Sequence, residues 1–165
     1  MSIEVRYIAW AVVVGIGATV FMDLWNLLLK RAFGIRSLDF CLVGRWFGHM
    51  LEGTFRHANI QAATQTRFEC PMGLISHYAI GIVFAVAFVI GASGEWLLHP
   101  RLLPALLYGI GTVVFPFFLL QPALGFGMAA SRTPHPTQAR LKSLMTHTVF
   151  GIGLYGSALA VSRLL

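Results

Sequence analysis

Long apolar stretches separated by polar, basic segments dominate the sequence. They run approximately over residues 7–29, 73–92, 102–124 and 143–163. Each is about as long as the 20 or so residues that a helix needs to cross the hydrocarbon core of a bilayer. Within lipid, a single segment satisfies its own backbone hydrogen bonds only as a helix. The pattern therefore predicts an all-α polytopic membrane protein with four transmembrane helices, and one transmembrane domain over residues 1–165.

A shorter periodic segment lies between the first two predicted spans, over approximately residues 39–56. Apolar residues recur there at helical spacing, while the polar residues of the segment fall on the opposite side: Arg45, His49, Glu52 and Arg56. This pattern predicts an amphipathic helix on the membrane surface. A basic helix of this kind needs only anionic lipid as its partner, so its charges do not by themselves indicate a binding site.

The two halves of the chain resemble each other. Gly15–Phe21 reads GIGATVF and Gly109–Phe115 reads GIGTVVF, with five identities in seven positions. HYAIGI from His77 and HTVFGI from His147 share the histidine, the glycine and the isoleucine. These matches predict a tandem repeat of a two-helix unit, whose copies would be related by an axis along the membrane normal.

Composition and charge support a membrane location and predict an orientation. Hydrophobic residues make up 57% of the chain and charged residues only 11%, against about 25% charged in soluble proteins. In a soluble chain, the net charge of +6 would indicate binding to nucleic acid. In a membrane protein, the basic residues are explained by the orientation of the chain in the bilayer. We therefore predict the lipid bilayer as a partner and no nucleic acid. Nine basic residues lie in the two basic loops, which connect predicted span one to span two and span three to span four: Lys30, Arg31, Arg36, Arg45, Arg56, Arg67, Arg132, Arg140 and Lys142. The other side of the membrane has three: Arg6, Arg101 and Arg163. The positive-inside rule then places both basic loops in the cytoplasm and both termini in the periplasm.

Cys41 and Cys70 are the only cysteines, and they form neither a CxxC motif nor a zinc-ligand spacing with histidine. The predicted orientation places both in the reducing cytoplasm. We therefore expect two unpaired thiols.

Candidate ligand-binding residues collect in the predicted cytoplasmic half of the membrane domain. Asp23 is the one acidic residue deep inside a span, where an ionisable group is costly and by default indicates function. Its alternative role is a protonated or arginine-paired carboxylate that fixes helix packing. Prolines flank Gln121 in the third span and predict a break that could line a cavity. The candidate ligand-binding set is Asp23, Asn26, Arg45, His49 and Gln121.

His77 and His147 form a second candidate group. Both lie near the predicted cytoplasmic ends of their spans, and each is followed four residues later by a glycine. Two histidines on facing helices could hold a divalent metal ion or the axial positions of a haem. The alternative is two separately hydrogen-bonded histidines near the interface.

Two motifs carry a family resemblance. GIGATVFMDLW over Gly15–Trp25 and GRWFGH over Gly44–His49, together with the histidine-bearing starts of spans two and four, resemble a bacterial family of small four-span membrane proteins known only as a domain of unknown function. The resemblance covers nearly the whole chain. It implies a bacterial inner-membrane location and transfers no activity, substrate or cofactor.

Three functional hypotheses follow. The first is binding or transport of a small solute, a metal ion or haem by the candidate polar residues in the cytoplasmic half of the membrane domain. Because four spans are few for a transporter, this hypothesis also predicts a homodimer or a membrane partner. The second is an enzyme at the membrane interface, with Asp23 or His49 as general base and Arg45 binding an anionic headgroup of a lipid-like substrate. No nucleophile motif supports it. The third is a structural accessory subunit whose polar residues serve packing alone.

Overall fold

A computed structural model describes the backbone of residues 3–164 and the side chains of residues 6–164. The helices longer than one turn are α1 (Ile3–Phe33), α2 (Phe40–Leu51), α3 (Glu69–Gly91), α4 (Leu102–Gly111) and α5 (Pro136–Ser162). Short 3-10 turns occur at Ile60–Ala62, Glu95–Leu97 and Met128–Ala130. The described part of the chain contains no strand.

Four helical stretches are long and apolar enough to cross a membrane, and they confirm the predicted all-helical membrane fold. They cover Arg6–Phe33, Glu69–Gly91, Leu102–Ala123 and Pro136–Ser162. The third is interrupted, because a π-helical turn at Pro116–Leu120 and a short α-helical turn at Gln121–Ala123 follow α4. Proline removes a backbone donor and clashes with the preceding turn, which accounts for the irregular geometry.

The described chain forms two compact units. The first contains the described residues of 3–36, 78–112 and 145–164, and the second contains residues 37–77 and 113–144. In the first unit, small and apolar side chains of α1, α3, α4 and α5 and of the 3-10 turn at Glu95–Leu97 form a buried core, which includes Val14, Ala85, Leu97 and Leu154. In the second unit, a smaller core surrounds Ile60 and Leu124.

Glycines set two close helix crossings in the first unit, and these crossings support the predicted repeat. A Cβ on Gly15 of α1 would lie 2.7 Å from Ile82 Cα and 3.1 Å from the Gly81 carbonyl oxygen of α3. A Cβ on Gly109 of α4 would lie 2.5 Å from Gly151 Cα of α5. The sequence repeat aligns Gly15 with Gly109 and Gly81 with Gly151. The same pair of aligned positions therefore makes the crossing in both halves of the predicted repeat.

The second unit begins with α2, which is shorter than the predicted segment 39–56. Asp39 caps its N-terminus, since its side chain accepts a hydrogen bond of 2.9 Å from the backbone N–H of Cys41. The helix ends at Leu51, and Gly53 follows with a φ of +84°, a conformation that favours glycine. Beyond it, the loop pairs with the broken third span through His57 N–H to the Ala123 carbonyl at 2.9 Å.

A second glycine pair brings α2 against the start of α3. A Cβ on Gly44 would overlap the Glu69 carbonyl oxygen and would lie 2.6 Å from the Gly73 nitrogen. One turn away on each helix, Cys41 and Cys70 form a disulfide across 29 residues of sequence. The expectation of two unpaired thiols is therefore wrong. Spacing along the chain could not show the pair, because the crossing of α2 and α3 is what brings the sulfurs together.

Candidate functional site

An acidic side chain inside the first span contacts the second span, within the first unit. The hydroxyl of Tyr78 on α3 donates a hydrogen bond of 3.0 Å to Asp23 Oδ2 on α1. Both side chains are half-buried. The contact joins positions 55 residues apart and lies within two helices that are long and apolar enough to cross a membrane. A carboxylate held between two spans is an arrangement typical of ion and substrate pathways.

Two further polar residues, Thr19 and Asn26, lie near Asp23 on α1. Thr19, one turn earlier, is fully buried and donates to the Gly15 carbonyl at 2.8 Å. Asn26, one turn later, is half-buried. Residues three and four apart share one helix face, so Thr19 and Asn26 flank Asp23 on the face that includes Gly15.

His147 has a hydroxyl partner in the first unit. Its Nδ1 lies 2.7 Å from Thr112 Oγ1, and that hydroxyl donates to the Gly109 carbonyl at 2.6 Å. Since a threonine hydroxyl has one proton, we assign the shared hydrogen of the first contact to His147 Nδ1. His147 on α5 is thus hydrogen-bonded to Thr112 at the C-terminal end of α4.

His77 lies in the second unit, where its ring stacks on Phe40 at a centroid distance of 4.0 Å. The two histidines predicted as metal or haem ligands are thus held by different partners in different units. In the described residues, no group of three or more His, Cys, Asp and Glu side chains could hold a metal ion. The cofactor role of His77 and His147 stays a prediction.

Arg45 is buried inside the second unit rather than placed on the polar side predicted for α2. Its Nε and Nη2 donate to the two carboxylate oxygens of Glu69, each at 2.9 Å. Its Nη1 donates to the backbone carbonyls of Ile60 and Ala63 at 3.1 and 3.2 Å. The hydrogen bonds and charge of Glu69 raise the pKa of Arg45 and outweigh its burial. All three guanidinium nitrogens are engaged within the protein, so the geometry gives Arg45 a structural role.

His49 points toward a histidine that sequence analysis did not select. Its Nε2 lies 2.9 Å from the Thr64 carbonyl oxygen, and its Nδ1 lies 3.5 Å from a Glu52 carboxylate oxygen. The ring also meets His57 edge to face, with centroids 5.0 Å apart. Neither ring nitrogen of His57 has a hydrogen-bond partner among the described residues. Burial lowers the pKa of His57, the proximity of His49 lowers it further, and the nearby Ala123 carbonyl opposes the shift.

This shift predicts a stability that depends on pH. Below pH of about 6.5 the unfolded chain protonates His57, whereas the folded chain does so only at lower pH. The free energy of unfolding should therefore fall on acidification from about pH 6.5 towards the pKa of the folded state, by at most about 1.4 kcal/mol per pH unit. His57→Phe should flatten this dependence in melting temperatures measured between pH 5 and 8. The matched variant, His135→Phe in an exposed loop, should leave it unchanged; equal pH profiles for wild type and His57→Phe would contradict the assignment.

Gln121 is buried at the break in the third span, with 8% of its surface exposed. Its Nε2 donates to Ser143 Oγ at 3.3 Å, and its Oε1 is buried without a described partner. A buried amide oxygen without a donor is costly, so this atom could accept a hydrogen bond from a bound molecule. The structure places Gln121 in the second unit, together with Arg45 and His49.

Sequence analysis missed three residues that the structure brings into these contacts. Tyr78 and Glu69 are the partners of Asp23 and Arg45, and His57 is the partner of His49. Tyr78 and Glu69 could have been identified from the sequence, because each is a polar residue within or beside an apolar span. His57 lies in a polar segment without periodicity, where one polar residue does not stand out.

These features define a helical membrane protein with four spans and a short helix between the first two. The family model described as "Protein of unknown function (DUF2938)" matches residues 12–161. The chain belongs to this family, which confirms the resemblance seen in the sequence motifs. No curated protein and no solved structure matches the chain.

Proposed function

We propose that the protein binds a small cationic solute between α1 and α3 and carries it across the bacterial inner membrane. The Asp23–Tyr78 hydrogen bond is the observation that carries this proposal. A carboxylate at membrane depth is costly unless a cation or a proton compensates it. Asp23 supplies the negative contact in this proposal, Tyr78 fixes its orientation, and Asn26 adds a neutral polar group one turn away.

The distribution of charge supports an orientation for this carrier. Nine basic residues lie in or beside the segments that connect the first span to the second and the third span to the fourth, against three on the other side. This distribution favours a cytoplasmic location of those two segments and periplasmic termini. We further propose a homodimer or a membrane partner, because four helices enclose little volume for a transport path. A fluorescent reporter that matures only in the cytoplasm, fused after residue 165, tests the orientation: it should stay dark, and bright cells would contradict periplasmic termini.

Transport should depend on the Asp23 carboxylate. In proteoliposomes screened with small metal cations and protonated amines, Asp23→Asn should abolish the uptake seen with the wild-type protein, because the anionic contact is lost. Tyr78→Phe should weaken binding about tenfold, the effect of losing one hydrogen bond to a charged group. Quenching of Trp25 fluorescence, two residues from Asp23, gives a second readout of binding.

Glu95→Gln provides the matched control, because Glu95 is an exposed carboxylate in the same unit and lies outside the spans. It should transport as the wild type does. Uptake by Asp23→Asn equal to that of Glu95→Gln would contradict the proposal. The absence of binding of every cation in the screen by the wild-type protein would do so as well.

A further inference from the structure

We propose that the Cys41–Cys70 disulfide is a redox-active site that exchanges with a cytoplasmic dithiol. The bond joins the first turn of α2 to the first turn of α3. The inference rests on the orientation in the proposed function, which places this segment in the cytoplasm, but not on solute transport. Disulfides in that compartment are rare and are usually transient, catalytic or redox-sensing.

The two sulfurs differ in access. Cys70 is exposed, whereas Cys41 is half-buried. Each cysteine is the second residue of its helix, where the helix dipole stabilises a thiolate. An incoming thiolate therefore reaches Cys70 Sγ first, and the Cys41 thiolate is the leaving group.

The exchange balances in two steps. One thiolate of the dithiol forms a bond with Cys70 Sγ, the Cys41–Cys70 bond breaks, and its electron pair leaves on Cys41 Sγ, which takes a proton from water. The second thiolate of the dithiol then attacks the first sulfur of the dithiol, and Cys70 leaves as a thiolate. The protein gains two electrons and the dithiol becomes a disulfide.

The surrounding contacts make the reaction reversible. The Gly44–Gly73 approach and the Arg45–Glu69 ion pair hold α2 against α3 independently of the disulfide. The reduced thiols therefore stay close together, and reoxidation is intramolecular. Because Glu69 is the sequence neighbour of Cys70, the ion pair fixes the backbone next to the reactive sulfur.

The thiol state in living cells tests the proposal. Cells expressing the full chain are quenched with acid, and free thiols are counted by the gel shift of a maleimide polymer. Because the pair exchanges with cytoplasmic dithiols, we expect it to be reduced to two free thiols in untreated cells. Within minutes of treatment with a thiol oxidant it should form the disulfide seen in the structure, and the free thiols should return after the oxidant is removed. A disulfide that persists in untreated cells, or thiols that never pair under oxidant, would overturn the proposal.

Sidedness separates this inference from the orientation on which it rests. A membrane-impermeant maleimide should label the reduced protein in inside-out vesicles and not in intact cells whose outer membrane has been permeabilised. Labelling from the periplasmic side would show that the orientation is wrong and the disulfide structural, which also overturns the proposal. Loss of transport in Asp23→Asn is measured separately and bears on neither result.

Single variants test the difference in access between the two cysteines. Cys41→Ser leaves the exposed Cys70, which should form a mixed disulfide with oxidised glutathione about tenfold faster than the Cys41 of Cys70→Ser. Cys70 is the attacking thiolate in this reaction, so the rate reports its access. Equal rates would contradict the difference in access from which Cys70 Sγ is assigned as the attacked sulfur. Both proteins should remain folded, because the glycine crossing and the ion pair are unchanged.

Discussion

Arg45→Met should lower the free energy of unfolding by about 3–5 kcal/mol, the usual cost of removing one partner of a buried ion pair. The Glu69 side chain, 13% exposed, would keep a charge without its counterion. The carbonyl oxygens of Ile60 and Ala63 would lose the donor that Nη1 now provides. Unfolding by denaturant in detergent micelles, followed by the fluorescence of the tryptophans, measures the loss.

Three comparisons make this prediction specific. Arg45→Lys should recover only part of the stability, because an ammonium group cannot bind both carboxylate oxygens in the planar fork. The double variant Arg45→Met with Glu69→Leu should recover most of it, since replacing both charges leaves none buried. Arg67→Met, which removes an exposed guanidinium over the Phe68 ring, should stay within about 0.5 kcal/mol of wild type. If Arg45→Met were as mild as Arg67→Met, the structural role of Arg45 would be wrong.

Gly44→Ala should destabilise the protein by about 3 kcal/mol, at the upper end of the cost of overpacking. The added Cβ meets backbone atoms of Glu69 and Gly73 rather than a flexible side chain. The helices must therefore separate, and both the disulfide and the Arg45–Glu69 pair depend on their approach. The midpoint of unfolding and the fraction of disulfide formed under oxidant should fall together.

Gly156→Ala is the matched control for the glycine crossing. Gly156 lies in α5, and a Cβ built there meets no atom within 4 Å. This variant should be neutral or slightly more stable, because alanine favours a helix over glycine. A loss of stability in Gly156→Ala equal to that in Gly44→Ala would mean that the effect is general to helical glycines and not specific to this crossing.

The all-helical membrane fold follows from the amino-acid sequence alone, because the bilayer imposes a simple physical rule. A segment in lipid must satisfy its own backbone hydrogen bonds, so four long apolar segments predict four transmembrane helices. The same rule singled out Asp23, since an acidic residue stands out in an apolar run. Helical periodicity of the apolar residues located α2, although the turn after Leu51 ends that helix earlier than the periodicity indicated.

The contacts between side chains of different helices could not be predicted without the tertiary structure. Arg45 and Glu69 are separated by 24 residues, Cys41 and Cys70 by 29, and Asp23 and Tyr78 by 55. Whether such pairs meet depends on the axial register and rotation of two helices, which are set by where glycines allow the backbones to approach. Hydrophobic pattern carries little information about this register, because apolar residues occur on all sides of a span. Arg45 could therefore be predicted as a polar residue of α2, but its burial against Glu69 could not.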